Sequence, residues 1–366
     1  TGRAAKRMSD MTGREAKTTH RLLEVDTTDP ERRRFKHHEQ NPLACDVVVL
    51  DEVSMVDVLL MENLLRAMRL RCRLVLVGDA DQLPSVSAGN VLRDLIHSGE
   101  VHTTRLTEIF RQARQSRIVL SAHDIVAGRI PELGARERGS DFFFLPRASD
   151  ADSLETVGEL CVQRLPKAYG FSPLWDIQVI APTRVGALGT AALNERLQQL
   201  LNPASPGRAQ VTFLGTALRE GDKVMQIKNN YDIEFERDDG SRSTGVFNGD
   251  IGVIETVDRA SRTLFIRYED RVAEYDFDML DQIELAYAVT VHKSQGSEFE
   301  AVVLPLMGYP SKMYFRNLFY TAVTRAKRLL VLVGSAGAVR YMVRNDRRTV
   351  RYTGLCRFVR EEDSLV

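Results

Sequence analysis

The sequence predicts an α/β protein with two parallel-sheet domains, the second interrupted by a small β-rich insertion. Three observations carry that expectation. Short, continuously apolar runs such as VVVL at 47–50 and LVLV at 74–77 have the composition of strands buried on both faces, as parallel strands usually are. The same alternation of apolar strand and helix returns from residue 177 onward, which separates a second block from the first. Between 211 and 285 the pattern changes to short alternating runs such as KVMQIK and TLFIRY, punctuated by the turn signals DDG and NGD.

Composition bounds the function. The 366 residues suffice for two or three domains at roughly 150 residues each. Hydrophobic residues make up 43% and charged residues 27%, an ordinary globular balance with enough apolar material for real cores. Fifty basic and fifty acidic side chains cancel, which excludes histone-like binding driven by net charge but leaves room for a locally basic groove. The four cysteines, Cys45, Cys72, Cys161 and Cys356, form no CxxC pair. That spacing argues against a disulfide framework or a structural zinc site and fits a reducing, cytoplasmic setting. No apolar run approaches the roughly 18 residues of a membrane helix, and the opening residues lack a signal-peptide core.

In chain order, TGRAAKRMSDMTG opens on Thr1 and reads as a loop running straight into a helix, so preceding sequence is expected to have been lost. TTHRLL at 18–23 reads as a short helix capped by Thr18 or Thr19. Residues 24–44 are polar, carry the basic cluster ERRRFKHH and lack a helical period; they read as an exposed excursion of hairpin type. A strand at 47–50, a helix near 56–68 and a strand at 74–77 follow. The second block holds IQVIAP at 177–182, a helix near 188–201, AVVLPL at 301–306, a helix near 314–325 and LLVLVG at 329–334. Trp175, the only tryptophan, leads into a buried strand and reads as a core or domain-edge residue rather than a base-stacking platform.

VVVLDEVSM places Asp51 and Glu52 at the carboxyl end of a parallel strand, where open α/β sheets hold their ligands. In a nucleotide-hydrolysing site the first acid holds Mg2+ and the second polarises the attacking water. The bland alternative is a solvated strand end that carries two acids. The next strand runs into Gly78, Asp79, Gln82 and Pro84, so two neighbouring strands end in polar loops on one sheet edge. Gln82 suits a hydrogen bond to a γ-phosphate or to the hydrolytic water; as a plain structural residue it braces its own loop.

DEVSM followed by GDADQLPSVSAGNVLRD resembles motifs II and III of the superfamily 1 helicases, within the RecD/TraA-like (1B) group. TGRAAKRM resembles motif Ia, and TTHRLL the DNA-contacting segment after it. LTEIFRQ resembles motif IV, APTRVGALGTAALN the motif that opens the second motor domain, LAYAVTVHKSQGSEF motif V, and NLFYTAVTRAKRLLVLVG motif VI. The resemblance implies two RecA-like motor domains, the first incomplete, with an SH3-like insertion. Its expected limits are 1–115 for the first motor domain, with a small hairpin domain at about 24–44, and 116–150 for a linking segment. Residues 151–210 and 286–366 would form the second motor domain, and 211–285 the insertion.

The resemblance also implies ATP and Mg2+ as cofactors and single-stranded DNA and duplex junctions as partners, with a recombination or repair nuclease complex as a further partner and no membrane. Asp51, Glu52, Gln82, Arg111 and Arg325 are the implied catalytic set, with Asp51 as the metal ligand. Gly296 and Glu298 are implied on the nucleotide side, Glu298 through the ribose. Thr19, His20, Thr183, Arg184, Thr290 and His292 are implied contacts to the DNA backbone. Arginine suits phosphate sensing because its charge is permanent and its planar fork spans two oxygens. For Arg325 the plain alternative is a helix-end arginine paired with a carboxylate, and for His292 a satisfied structural histidine.

One part of the pattern is missing. A phosphate-binding loop of the form GxxxxGK[ST] needs a lysine preceded by glycine, and no lysine in this chain follows one. In the family that loop shortly precedes the TGRAAKR segment. The expectation is therefore a helicase fragment, inactive alone and lacking the first strand of its ATPase sheet, from a parent that moves 5′-to-3′ on single-stranded DNA. The alternative is a non-catalytic DNA-binding clamp or partner subunit derived from a helicase. Arg32, Arg33, Arg34, Lys36, His37 and His38 form either a solvated loop or a basic hairpin beside the translocating strand.

Overall fold

A computed structural model describes residues 2–26, 34–106, 115–134, 139–307, 312–346, 351 and 353–362. The chain divides into two units, Thr1–Phe110 with Arg347–Val366, and Arg111–Asp346.

In the first unit, helix α1 spans Gly2–Thr12, so TGRAAKR is helical rather than a loop. It stops at Gly13, whose φ of +66° is the left-handed geometry that closes a helix end, with its N–H on the Ser9 carbonyl at 2.9 Å. Helix α2, Thr19–Leu23, is capped by Thr18, whose hydroxyl accepts the Arg21 N–H at 3.3 Å. Strands β1, Val25–Asp26, and β2, Arg34–Phe35, pair antiparallel. The segment 24–44 is not wholly exposed, because Leu43 is buried and Phe35 packs beside Leu23, Val48 and Leu64.

Strands β3, Val47–Leu50, and β4, Arg73–Leu76, run parallel in register from Val47↔Arg73 to Leu50↔Leu76. Between them lies α3, Val58–Ala67, capped by the Asp57 carboxylate on the Leu60 N–H at 2.8 Å. Its buried residues Met61, Leu64 and Ala67 recur every three positions and so share one face. Helix α4, Val91–Ser98, packs Val91 and Leu92 with Val53, Val56 and Met61 and ends at Gly99. Among the described residues, helices cover one side of the sheet. Val48, Leu50, Leu74 and Leu76 face them, whereas Val47, Val49, Val75 and Val77 are 45–52% exposed. Burial on both faces, expected from the apolar runs, is corrected here: two described strands and one helical layer bury one face.

In the second unit the described residues of the expected linking segment 116–150 include a helix and a strand. Helix α5, Arg117–Val126, starts at Ser116, and Asp141 Oδ1 accepts the N–H groups of Arg117 and Ile118 at 2.8 and 3.2 Å, placing a negative charge at the positive helix end. Strand β5, Phe142–Pro146, follows, then α6, Asp150–Glu159, which continues through a π turn at Leu160–Arg164 into α7, Leu165–Tyr169. Trp175 is 45% exposed and so is no core residue. Strand β6, Ile177–Ala181, is buried throughout and leads to α8, Thr190–Leu201.

The insertion opens with the hairpin of β7, Gln210–Phe213, and β8, Thr216–Arg219. Seven further strands follow: β9 (Lys223–Gln226), β10 (Asn230–Arg237), β11 (Arg242–Val246), β12 (Ile251–Asp258), β13 (Thr263–Arg267), β14 (Arg271–Asp276) and β15 (Ile283–Leu285). They form one antiparallel sheet in the order β11-β10-β14-β13-β12-β9-β15. Asp222 is buried where this sheet meets α8. It accepts hydrogen bonds from Gln198 and Asn202 at 2.6 Å, the Arg219 N–H at 2.8 Å and the Tyr287 hydroxyl at 2.9 Å. Burial raises the pKa of this carboxyl, and those hydrogen bonds oppose the rise.

Strands β16 (Ala288–Thr290), β17 (Phe299–Leu306) and β18 (Ala326–Gly334) then complete a five-stranded parallel sheet, ordered β16-β6-β17-β18-β5. Thus 142–146 belongs to this sheet as its edge strand. Helices α9, Arg316–Val323, and α10, Ala336–Arg344, complete the unit. Residues 347–366, expected with the second motor domain, belong instead to the first unit. There α11, Leu355–Glu362, lies on α4, with Leu355 against the Val53–Val91 cluster and Arg360 Nε donating to the Ser98 carbonyl at 3.0 Å. All four cysteines are free, although Cys45 and Cys72 bring their sulfurs to 3.9 Å.

Candidate active site and nucleic-acid contacts

Strand β3 delivers the acid pair as expected, and the backbone bends sharply to do so. Glu52 has φ +55° and ψ 41°, a left-handed conformation that disfavours any residue with a Cβ. Its N–H is held by the Asp51 carboxylate at 2.8 Å. The turn is locked to the neighbouring strand end: Val77 N–H donates to Leu50 O at 2.8 Å and Val53 N–H to Val77 O at 3.0 Å. A Cβ on Gly78 would stand 3.0 Å from the Val53 nitrogen, so glycine permits this approach. Beyond it, Asp79 organises its loop by accepting the Asp81 N–H at 2.9 Å and the Gln82 side-chain amide at 3.4 Å. Asp51, Glu52 and Gln82 therefore converge on one sheet edge, with Gln82 braced by its own loop.

The candidate residues of the second unit fall on two edges of its parallel sheet. Register Thr290↔Ala181 aligns the carboxyl ends of β16 and β6, which brings Thr183, Arg184, Thr290 and His292 to one edge. Asn194 fixes β16 there: its amide donates to Leu285 O and Ala288 O at 3.0 and 2.9 Å, and its oxygen accepts the Ala288 N–H at 2.8 Å. In the loop after β6, a Cβ on Gly189 would lie 2.5 Å from the Arg184 carbonyl oxygen, so the tight turn requires glycine. Burial lowers the His292 pKa below its usual 6.5, which favours the neutral ring near pH 7.

At the opposite, amino end of this sheet lie Gly296, Glu298 and Arg325. Gly296 takes φ +72° in the turn before β17. Arg325 is only 5% exposed; its Nε donates to Thr321 O and its Nη1 to Ser297 O, both at 3.1 Å, while its own carbonyl accepts the Phe299 N–H at 2.9 Å. The two later motifs are thus joined through backbone. In the first unit, Thr19 is the first residue of α2, and the His20 ring lies 5.9 Å from Phe35 of the short hairpin. Arg111, Arg32 and Arg33 lie outside the described residues. Of the remaining basic cluster, Lys36 pairs with Glu24 at 3.3 Å and His37 Nδ1 meets the Asn41 carbonyl at 3.1 Å.

Comparisons with known proteins agree with this layout. Residues 1–88 match an AAA domain, 193–268 the ATP-dependent RecD-like DNA helicase SH3 domain, and 285–333 the UvrD-like helicase C-terminal domain. The chain is 35% identical over 338 residues to the ATP-dependent RecD2 DNA helicase of Deinococcus radiodurans, covering 92% of this chain and 42% of that protein. It is 32% identical over 356 residues to the RecBCD enzyme subunit RecD of Mycolicibacterium smegmatis, covering 94% and 59%. The chain belongs to the RecD-like helicase family of superfamily 1. It spans about half the length of these curated relatives. Crystal structures of Bacteroides Pif1 bound to single-stranded DNA share the fold of this RecD-like chain. One has a TM-score of 0.52 at 16% identity, covering all of this chain and 92% of that one. A second, with ADP-AlF3 and single-stranded DNA, has a TM-score of 0.51 at 17% identity, covering 97% and 85%.

Within the RecD-like chain, the local roles of two residues beside the candidate sites, Asp79 and Asn194, were not evident from its motifs. Asp79 carries an Asx-type turn whose only sequence signal is the spacing DADQ. Asn194 sits at the end of APTRVGALGTAALN, where its helical position gave no hint of a strand partner 94 residues away. Among the described residues no helix is long and apolar enough to cross a membrane.

Proposed function

We propose that this chain is the larger part of the motor of an ATP-dependent DNA helicase or translocase of RecD type, coupling hydrolysis to 5′-to-3′ movement on single-stranded DNA and to duplex unwinding. The observation that carries this reading is the left-handed Glu52 beside Asp51, locked to the Gly78–Gln82 loop at the carboxyl edge of a parallel sheet. Backbone strain of this kind persists where surrounding structure enforces it, and it clusters at active sites.

The donor set fits Mg2+, which prefers hard carboxylate oxygens such as those of Asp51. Among the described residues no group of three or more His, Cys, Asp or Glu would hold a metal by itself. That fits an ion bound through one or two carboxylates together with nucleotide phosphates. When bound, Mg2+ neutralises charge developing on the phosphates. Glu52 takes the proton of the attacking water, and Gln82 orients that water or the γ-phosphate. Arg111 and Arg325 supply permanent charge for the transferred phosphoryl group, and Gly296 with Glu298 receives the ribose. Thr19, His20, Thr183, Arg184, Thr290 and His292 contact the DNA backbone without reading bases. Assembly with recombination or repair nuclease subunits is part of the same reading, and the RecBCD-subunit names of several relatives support it.

A second reading is a non-catalytic DNA-binding clamp or partner subunit derived from a helicase. The two readings part on one experiment. The protein in its full natural length is assayed for ATP hydrolysis with and without single-stranded DNA, and for unwinding of duplexes tailed at 5′ or at 3′. DNA-stimulated hydrolysis with unwinding of the 5′-tailed duplex is expected. Hydrolysis that DNA does not stimulate would leave the clamp, and unwinding only from 3′ tails would reverse the direction.

A further inference from the structure

The loop that follows Gln82 is gripped from both sides. On its inner side Ala88 O accepts the Val58 N–H at 3.1 Å, at the first turn of α3. Gly89, at φ +96°, lies so close that an added Cβ would stand 2.9 Å from Val58 Cβ. On its outer side stands Arg351, 266 residues away in sequence from Ser85. Its Nη1 donates to the Ser85 hydroxyl at 3.0 Å, to Gly89 O at 2.6 Å and to Ser87 O, and its Nη2 to Ser85 O. Carbonyls of residues 85, 87 and 89 thus converge on one guanidinium. Converging carbonyl dipoles repel one another unless a donor stands between them; within the loop the Ser85 hydroxyl donates to Ser87 O at 3.1 Å and to Gly89 O at 3.5 Å, and the guanidinium adds a full positive charge at the same point.

The segment bearing Arg351 is seated independently of that contact. Leu355 packs into the Val53–Val91 cluster, and Arg360 holds the carbonyl of Ser98 at the end of α4. The half-buried Asp94 of the same helix hydrogen-bonds Thr353. Those anchors would hold α11 in place by themselves; the guanidinium adds a grip directed at one loop. That loop begins directly after Leu83 and Pro84, with Leu83 buried and Gln82 tied to Asp79. Only Leu83 and Pro84 separate the gripped loop from Gln82.

We propose that Arg351 is a positioning residue for ATP hydrolysis, clamping the 85–89 loop and thereby fixing where Gln82 presents its amide. The inference rests on the helicase reading above, and two measurements separate the two. In the 366-residue chain, Arg351→Ala should raise hydrogen–deuterium exchange of the amides at 85–92 by about tenfold while leaving α3 protected. In the full-length protein, Arg351→Ala should lower kcat for DNA-stimulated hydrolysis about tenfold, with KM for ATP within about twofold. Arg351→Lys should restore part of kcat, because an ammonium meets the converging carbonyls but lacks the fork that also reaches Ser85 O. In a Gln82→Ala background, adding Arg351→Ala should lower kcat by less than about twofold further, because the two residues act through one contact chain.

Unchanged exchange at 85–92 would overturn the clamp. Fully additive losses with Gln82→Ala would overturn the positioning role and leave Arg351 as a stabilising residue only. If the full-length wild-type protein shows no DNA-stimulated hydrolysis, the helicase reading falls, and with it the task assigned to Gln82. The exchange rates still decide the clamp by themselves.

Discussion

The two parallel sheets of this chain are written in nearly the same residues and live in different surroundings. In the second unit β6 is buried along its whole length, and Leu304 at the middle of β17 is fully buried among neighbours on both sides. In the first unit β3 and β4 bury one face and leave Val47, Val49 and Val75 about half exposed on the other, with Val77 just beyond β4. Their edges differ as well. The second unit places glycines, Gly296 and Gly334, where the backbone turns left-handed around its parallel sheet, whereas the first unit forces Glu52 into that conformation. An apolar run specifies faces that can be covered; how many neighbours cover them is decided elsewhere in the chain. Left-handed non-glycine backbone also occurs at Glu24, Leu214 and Arg262, but only at Glu52 does it stand at the carboxyl end of a parallel strand among the described residues.

The largest expected effect falls on the strained edge. In the full-length protein Glu52→Gln should retain nucleotide binding yet lower kcat about a thousandfold, near 4 kcal/mol of barrier, because an amide takes no proton. Glu52→Gly should abolish turnover as well, but stabilise the first unit by about 1 kcal/mol through relief of the left-handed backbone. Turnover by Glu52→Gln within a few fold of wild type would reduce the acid pair to a solvated strand end. A Glu52→Gly chain less stable than wild type in urea would show that the turn is not strained.

A middle-sized effect tests the burial contrast. Leu304→Ala should destabilise the second unit by about 3 kcal/mol, because the cavity lies among residues that cannot collapse. Val49→Ala, half exposed, should cost under about 1 kcal/mol. Equal losses by denaturant unfolding would mean that the exposed face of β3 is covered in solution, and the comparison would fail.

The smallest effect is electrostatic. The folded-state pKa of His292 lies below 6.5, so between that lowered value and 6.5 the unfolded chain binds more protons than the folded one. This group's contribution is intact above 6.5 and is lost as pH falls through that window. His292→Gln should therefore flatten the decline in melting temperature of the second unit between neutral pH and pH 5.5. An identical pH profile would mean that His292 titrates like an exposed imidazole.

Much of the fold was legible because strand–helix alternation is local. Val47–Leu50, Ile177–Ala181 and the turns at 238–240 and 248–250 needed no long-range information. Elements that depend on distant partners were not legible. Phe142–Pro146 reads as part of a linker until β18 is there to pair with it, and Asp222 is buried only because Gln198, Asn202 and Tyr287 surround it. In the candidate site, the place of Asp51, Glu52 and Gln82 beyond two neighbouring strand ends was readable from the apolar runs before them. The left-handed backbone at Glu52 was not, since nothing in DEVSM distinguishes it from an ordinary strand end. Arg351 was hidden most deeply, among arginines that share its composition and not its contacts.

The order of synthesis gives that last contact a further meaning. Ser85 leaves the ribosome 266 residues before Arg351. At about 5–20 residues per second, roughly a quarter of a minute to nearly a full minute passes between them. During that interval the whole of the second unit, Arg111–Asp346, emerges. The nascent first unit waits with its 85–89 carbonyls unclamped and the Val53–Val91 cluster uncovered by Leu355. The unit that is begun first is finished last.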